Sequence, residues 1–172
     1  FQKFNMQTLL FDSDMKLLNK NRHLADYNER RESYDNFLVA NDGSFVFTYA
    51  KQSGNRDNSN FLNLVFKAPL QNTFTYRDID LQEKYVDEIK LKIDNRNSRY
   101  ILNTFYYKKN RGSIEGLFTG VWDKANEKIF ASQFIELYDS LRYEAKSGGL
   151  LRFAFDNFFI RQIVVKGDGG FI

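Results

Sequence analysis

Alternating apolar and polar residues, interrupted by short turn sequences, predict a chain built from antiparallel β-strands. Residues 34–49 read YDNFLVANDGSFVFTY, and residues 85–106 read YVDEIKLKIDNRNSRYILNTFY. Each stretch places a turn rich in Asp, Asn or Gly between two apolar-aromatic runs, which is typical of a β-hairpin. Residues 158–172, FFIRQIVVKGDGGFI, begin the same pattern and stop just after the turn. The sequence therefore contains a weak internal repeat.

Two blade-like units of four strands each are predicted, over residues 34–81 and 85–137. In the first unit, the alternation places strands at Phe37–Val39, Phe45–Ala50, Phe61–Lys67 and 73–81. In the second unit, it places them at Tyr85–Ile93, Tyr100–Tyr107, Ile114–Trp122 and Lys128–Leu137. Short turns connect the strands, so an up-down antiparallel order is expected within each unit.

Partial units and two irregular segments are predicted around these repeats. Residues 1–18 and 158–172 are the partial units, and the first of them contains a turn near Asp12–Asp14. The polar and charged residues 19–33 predict a solvated loop, with room for one helical turn. Residues 138–157 predict a short helical insertion, since their apolar positions have helical spacing and a Gly-Gly pair follows them.

The predicted fold class is all-β, with repeated four-stranded antiparallel units that favour a β-propeller. Each unit would be one blade, and residues 1–172 would form part of one propeller-like domain. Gly116 and Gly120 lie on one face of a predicted strand and would let neighbouring blades approach closely. Two units cannot close a ring, so we expect the rest of a longer chain to complete it. A β-sandwich and a stand-alone curled sheet are the alternative architectures.

Residues 85–130 and the closing stretch VVKGDGGFI, residues 164–172, carry a resemblance to known proteins. They resemble the β-propeller class and, more loosely, uncharacterised secreted or envelope proteins of Bacteroidota. The resemblance implies a scaffold located in a bacterial cell envelope or outside the cell. A fold that serves many functions does not select one of them.

Composition excludes several functional classes. The chain has no Cys, so disulfides, thiolate metal sites and Cys catalysis are excluded. Its 18 Phe and 10 Tyr favour β-sheet, where aromatic side chains pack well. The net charge of +3 comes from Lys and Arg interspersed with Asp and Glu. Nucleic-acid binding is not expected, because it needs a concentrated basic stripe. No apolar run is long enough to cross a bilayer as a helix.

No pattern in the sequence predicts a catalytic, metal or cofactor site. His23 is the single histidine and lies among charged residues, where a solvent-exposed position is expected. The Asp-rich stretches lack the ligand spacing of a calcium loop and are interpreted as turns. Carboxylates that could serve glycoside hydrolysis are present, but they are interpreted as parts of solvated strands and turns: Asp87, Glu88, Glu115 and Asp123.

The best candidate for a binding site is the aromatic and basic stretch at residues 105–111, within which we single out Tyr107, Lys108 and Arg111. Tyr and Arg dominate protein interfaces, and Tyr also stacks on sugars. The alternative interpretation is a strand whose Tyr side chains pack in the core, followed by a charged loop. If the stretch is a binding surface, Tyr107→Ala or Arg111→Ala should weaken a complex and leave the fold intact.

The function predicted from the sequence is a non-catalytic β-propeller scaffold that binds a protein partner within a larger envelope or secreted protein. A carbohydrate-binding or carbohydrate-hydrolysing propeller is the alternative, and it needs carboxylates or aromatics that converge at one place. An anion or nucleic-acid binder is a third hypothesis, which strong salt dependence of binding would reveal.

Overall fold

The computed structural model describes residues 2–138, 140 and 158–172, and these residues form an all-β structure with antiparallel strand pairing throughout. The predicted all-β class is confirmed. The helical insertion predicted at 138–157 lies outside the described residues except for Tyr138 and Ser140. In chain order the strands are β1 (Gln2–Phe11), β2 (Leu17–Tyr27), β3 (Glu32–Val39), β4 (Phe45–Gln52), β5 (Ser59–Lys67), β6 (Thr75–Asp78), β7 (Tyr85–Asp94), β8 (Arg99–Tyr107), β9 (Gly116–Asp123) and β10 (Lys128–Glu136).

Asp side chains close the hairpin turns that the sequence predicts. Between β3 and β4, Asp42 accepts a hydrogen bond from the Ser44 amide at 2.9 Å, and Gly43 adopts a φ of 79°. Asp94 accepts hydrogen bonds from Asn97 in the β7–β8 turn, and Asp123 accepts them in the β9–β10 turn. These local bonds satisfy turn amides and fix the pairing register of the flanking strands.

The chain divides into two compact units, the first of which comprises residues 1–56 and 61–80. Within it, β3, β4, β5 and β6 are neighbours in sequence order, and β1 and β2 form a separate two-stranded hairpin. One face of the hairpin packs on the sheet, where Phe4 stacks on Tyr34 with ring centroids 4.0 Å apart. The apolar core of this unit includes the fully buried Phe47 and Leu64.

The prediction of a loop over residues 19–33 is wrong, because β2 runs to Tyr27 and pairs with β1 along its whole length. Polar residues occupy both faces of β2, so its alternation is hidden in the sequence. Asn19, Asn21 and His23 point towards the sheet, where side chains and carbonyls of the β5–β6 segment bind them. Buried polar groups are tolerated when such partners exist.

The second unit comprises residues 57–60 and 81–172. Strands β7, β8, β9 and β10 form a meander in sequence order, and Ser59 bridges to Val86 on β7. Every side chain of β8 from Tyr100 to Tyr107 is buried, which makes β8 the centre of this core.

Residues 158–172 contain an isolated antiparallel bridge, Val165 to Phe171, around the predicted turn, and their assignment to a partial unit stays a prediction. The predicted role of the two glycines on β9 needs correction. Gly116 does permit a close approach, but within its own sheet: a Cβ there would overlap the Ile135 carbonyl oxygen. At Gly120 the nearest atom to an added Cβ is 3.4 Å away, so no close approach depends on that residue. The propeller itself stays a prediction.

Candidate functional site

Tyr107, the first residue of the predicted binding site, belongs to the core of the second unit. It ends β8 and is only 9% exposed. With Phe105 and Ile114 it forms a buried cluster, against which partly buried side chains pack: Tyr85, Leu117, Leu137 and Ile160. The ring of Tyr107 therefore fills the interior and is not presented to a partner.

Lys108 is exposed, but two carboxylates surround its ammonium group. The Lys108 Nζ lies 2.7 Å from Glu136 Oε1 and 3.3 Å from Glu115 Oε2. Hydrogen bonds to Glu136 and Glu115 raise the pKa of Lys108. The positive charge that the sequence places here is balanced within the unit, which weakens its attraction for an anionic partner.

Arg111 fastens its loop to the 57–60 segment. Its Nη2 lies 2.9 Å from Asp57 Oδ1, and its backbone amide donates to Asn58 Oδ1 at 2.7 Å. The Asn58 amide donates in turn to Asn110 Oδ1 at 3.0 Å. Arg111 also adopts a φ of 55°, the left-handed conformation of a tight turn. Tyr107 thus belongs to the core, whereas Lys108 and Arg111 are exposed and form separate ion pairs. A binding role for the two exposed cations stays a prediction.

The carboxylates considered for glycoside hydrolysis have local structural partners. Glu88 accepts a hydrogen bond from the Ile160 amide at 3.0 Å, and Asp87 accepts one from the Glu88 amide at 2.8 Å. Asp123 accepts hydrogen bonds from Asn126, which lower its pKa. Glu115 pairs with Lys108. A general acid for glycoside hydrolysis needs a raised pKa, so Asp123 is unsuited to that role.

A groove in the first unit is a feature that the sequence did not predict. It has a volume of about 290 Å³ and lies between the β1–β2 hairpin and the β3–β5 sheet. Its lining is largely apolar and includes Met6, Leu9, Leu10, Val39, Phe45 and Pro69. The polar side chains in the lining are those of Gln7, Thr8, Asn19 and Lys67. This volume is at the small end of the range for ligand sites, and the apolar lining is typical of them.

Lys67 supplies the one cationic side chain that lines this groove. The residue is only 5% exposed, and its Nζ donates to the Gln71 carbonyl oxygen at 3.0 Å. Among the described residues no carboxylate forms an ion pair with it. Burial lowers the pKa of Lys67 because the ammonium form loses hydration there. A buried lysine without a counter-charge is uncommon and points to a functional role.

Elsewhere in the first unit, tyrosines form an aromatic layer between the hairpin and the sheet. Tyr34 stacks on Tyr49 at 4.8 Å, and Tyr49 donates to Glu32 Oε1 at 3.0 Å. Burial raises the pKa of Tyr34 to about 12, and burial together with the Glu32 carboxylate raises the pKa of Tyr49. Tyr76 and His23 share a hydrogen bond of 3.0 Å. The layer holds the hairpin on the sheet.

No protein-family model, curated protein or solved structure matches the chain. In the part of the chain that the structure describes, no helix has the length and apolar character to span a membrane. The same residues contain no group of three or more His, Asp or Glu side chains placed to hold a metal ion. Functional inference therefore rests on the geometry of the molecule.

Proposed function

We propose that this chain is a non-catalytic interaction module, a propeller-like scaffold segment of a larger bacterial envelope or secreted protein. A partner polypeptide adds a strand to the outer edge of β10. The observation that supports this proposal is that the β10 edge lacks charged side chains over residues 129–135 and exposes large apolar ones. The four-stranded up-down meanders of the two units support the propeller-like scaffold, which the rest of a longer chain would complete.

The edge of β10 has few of the features that protect sheet edges from pairing. Among the described residues, β10 has a single ladder partner, β9. Residues 129–135, IFASQFI, contain no charged side chain. Large apolar side chains are exposed along it, with Phe130 58% and Ile135 43% exposed. Natural edge strands are usually interrupted by Lys, Pro or strong bulges.

A partner strand would fit the part of β10 that follows its bulge. The register with β9 shifts between Ile129 and Ala131, so regular pairing extends from Ala131 to Glu136. Main-chain hydrogen bonds to an added strand would provide affinity, and exposed side chains on alternate faces would provide selectivity. Phe130 lies at the bulge, where Arg99 covers part of its ring at 4.5 Å.

Two matched variants, each with one alanine of the β9–β10 hairpin replaced by lysine, test this proposal. Ala131→Lys places a charge on the exposed edge strand, whereas Ala125→Lys places the same charge in the exposed turn. We expect the wild type and Ala125→Lys to capture the same stoichiometric protein from a native extract, and Ala131→Lys to lose it. Circular dichroism checks that both variants remain folded. Equal capture by Ala131→Lys and Ala125→Lys would refute the role of the edge.

A further inference from the structure

The groove of the first unit combines apolar walls with one buried, unpaired cation. We propose that it binds a small aliphatic monocarboxylate, whose carboxylate pairs with the Lys67 ammonium and whose acyl chain lies along the apolar walls. This site is separate from the β10 edge, and its existence does not depend on the proposed interaction function.

The donors left over at Lys67 identify the head group of the ligand. An ammonium group has three N–H donors, and the Gln71 carbonyl accepts one of them. The other two have no partner among the described residues, and Thr8, which also lines the groove, has a hydroxyl oxygen that is buried without a hydrogen-bond partner. A carboxylate accepts several hydrogen bonds at once and supplies the missing negative charge.

The walls of the groove select a monoanion with an apolar chain. Lys67 is the one cationic side chain in the lining, so a second negative charge on the ligand would have no counter-charge in the groove. When an acyl chain enters the groove, the apolar surfaces of both the ligand and the groove are removed from water. Val39 is 64% exposed, so its side chain has area to bury.

The size of the groove limits the length of the chain. Its volume of about 290 Å³ suits a ligand of medium chain length rather than a long-chain lipid. Each methylene that enters the groove should raise the affinity about fourfold, and further methylenes should have no effect once the groove is full. A series of carboxylates of increasing length therefore measures how far the groove extends.

Octanoate and 1-octanol are the probes, since they share a chain length and differ in charge. Isothermal titration calorimetry on the whole chain should show that octanoate binds roughly 10-fold more tightly than octanol. The reason is that octanoate alone can form a hydrogen bond between two charged groups with Lys67. Lys67→Met should remove this preference, since Met retains the apolar stem without the charge. Lys92→Met, at an exposed lysine of the second unit, should leave the preference unchanged.

A second measurement decides the proposal even if Lys67→Met does not fold. The Cε proton signals of the wild-type lysines, followed by NMR as the pH rises, report the titration of each ammonium group. Saturating octanoate should raise the titration midpoint of Lys67 and no other, because the carboxylate stabilises the charged form. The proposal is overturned if octanoate does not bind, if it binds no better than octanol, or if the Lys67 midpoint does not move.

Discussion

Gly116 and Gly120 lie four residues apart on β9, and the structure predicts opposite effects for the same substitution. Gly116 lies between Tyr106 on β8 and Glu136 on β10 and is buried. An added Cβ would overlap the backbone carbonyl oxygen of Ile135 and would lie 2.6 Å from the Tyr106 ring. The carbonyl belongs to a paired strand and cannot move without shifting β10.

The magnitude follows from which atoms must move. At Gly116, both the Tyr106 ring and the β10 backbone must shift, so Gly116→Ala should lower the free energy of unfolding by about 3 kcal/mol, at the upper end for overpacking. At Gly120, the Phe118 ring atoms lie 3.4 and 3.5 Å from an added Cβ, close to ordinary contact distances. Gly120→Ala should therefore be neutral or stabilising by about 0.5 kcal/mol, because alanine restricts the unfolded chain.

Trp122 provides the signal for this comparison. It is the single tryptophan, lies on β9 and is 6% exposed, so its fluorescence reports unfolding of the second unit. Urea titrations of the wild type and both variants give the free energies of unfolding. If Gly116→Ala unfolds at the same urea concentration as Gly120→Ala, the close packing of β8, β9 and β10 at Gly116 is refuted.

Two further predictions concern tyrosines in the two units. Tyr107→Ala should lower the free energy of unfolding by about 3 kcal/mol, because it leaves a cavity in the core. Arg111→Ala removes an exposed ion pair and should lower the free energy of unfolding by less than about 1 kcal/mol. Equal losses of stability in urea titrations of the two variants would contradict the core placement of Tyr107. The pKa of Tyr34 is raised to about 12 and that of Tyr49 is raised as well, so the folded state retains protons that the unfolded state loses above about pH 10. Stability should therefore decrease as the pH rises from about 10 to about 12, and Tyr49→Phe should show a weaker decrease. Equal decreases in the wild type and in Tyr49→Phe, measured by urea titrations at each pH, would contradict the burial of this ring.

Most strands can be located from the sequence because the residues that favour strands and turns are close together in the chain. The strands from β3 to β10 have apolar alternation on at least one face, and turn residues such as Asp42-Gly43 separate them. The strand β2 was missed because neither of its faces is apolar enough to reveal the alternation. Its inward-facing Asn and His side chains form hydrogen bonds with partners about fifty residues away, which no local pattern reports.

The candidate binding residues show the same limit. The sequence correctly placed Tyr107, Lys108 and Arg111 at the end of a strand and in the loop after it, because alternation and polarity change there. It could not show that Tyr107 packs against Ile114 or that Arg111 pairs with Asp57, since these contacts form only when distant segments meet. A lysine at the end of the apolar run FLNLVFK, followed by Pro69, was the one local signal for the groove.

The all-β class, the antiparallel order of neighbouring strands and the positions of the turns follow from the amino-acid sequence alone. These properties depend on side-chain alternation and on turn residues that are adjacent in the chain. Which charges are balanced, which tyrosines are buried and where a cation is left without a carboxylate partner are properties of the tertiary structure. Those outcomes depend on pairing the β1–β2 hairpin with the sheet and the 57–60 segment with the loop at Arg111, and such long-range contacts have no signature in a local pattern.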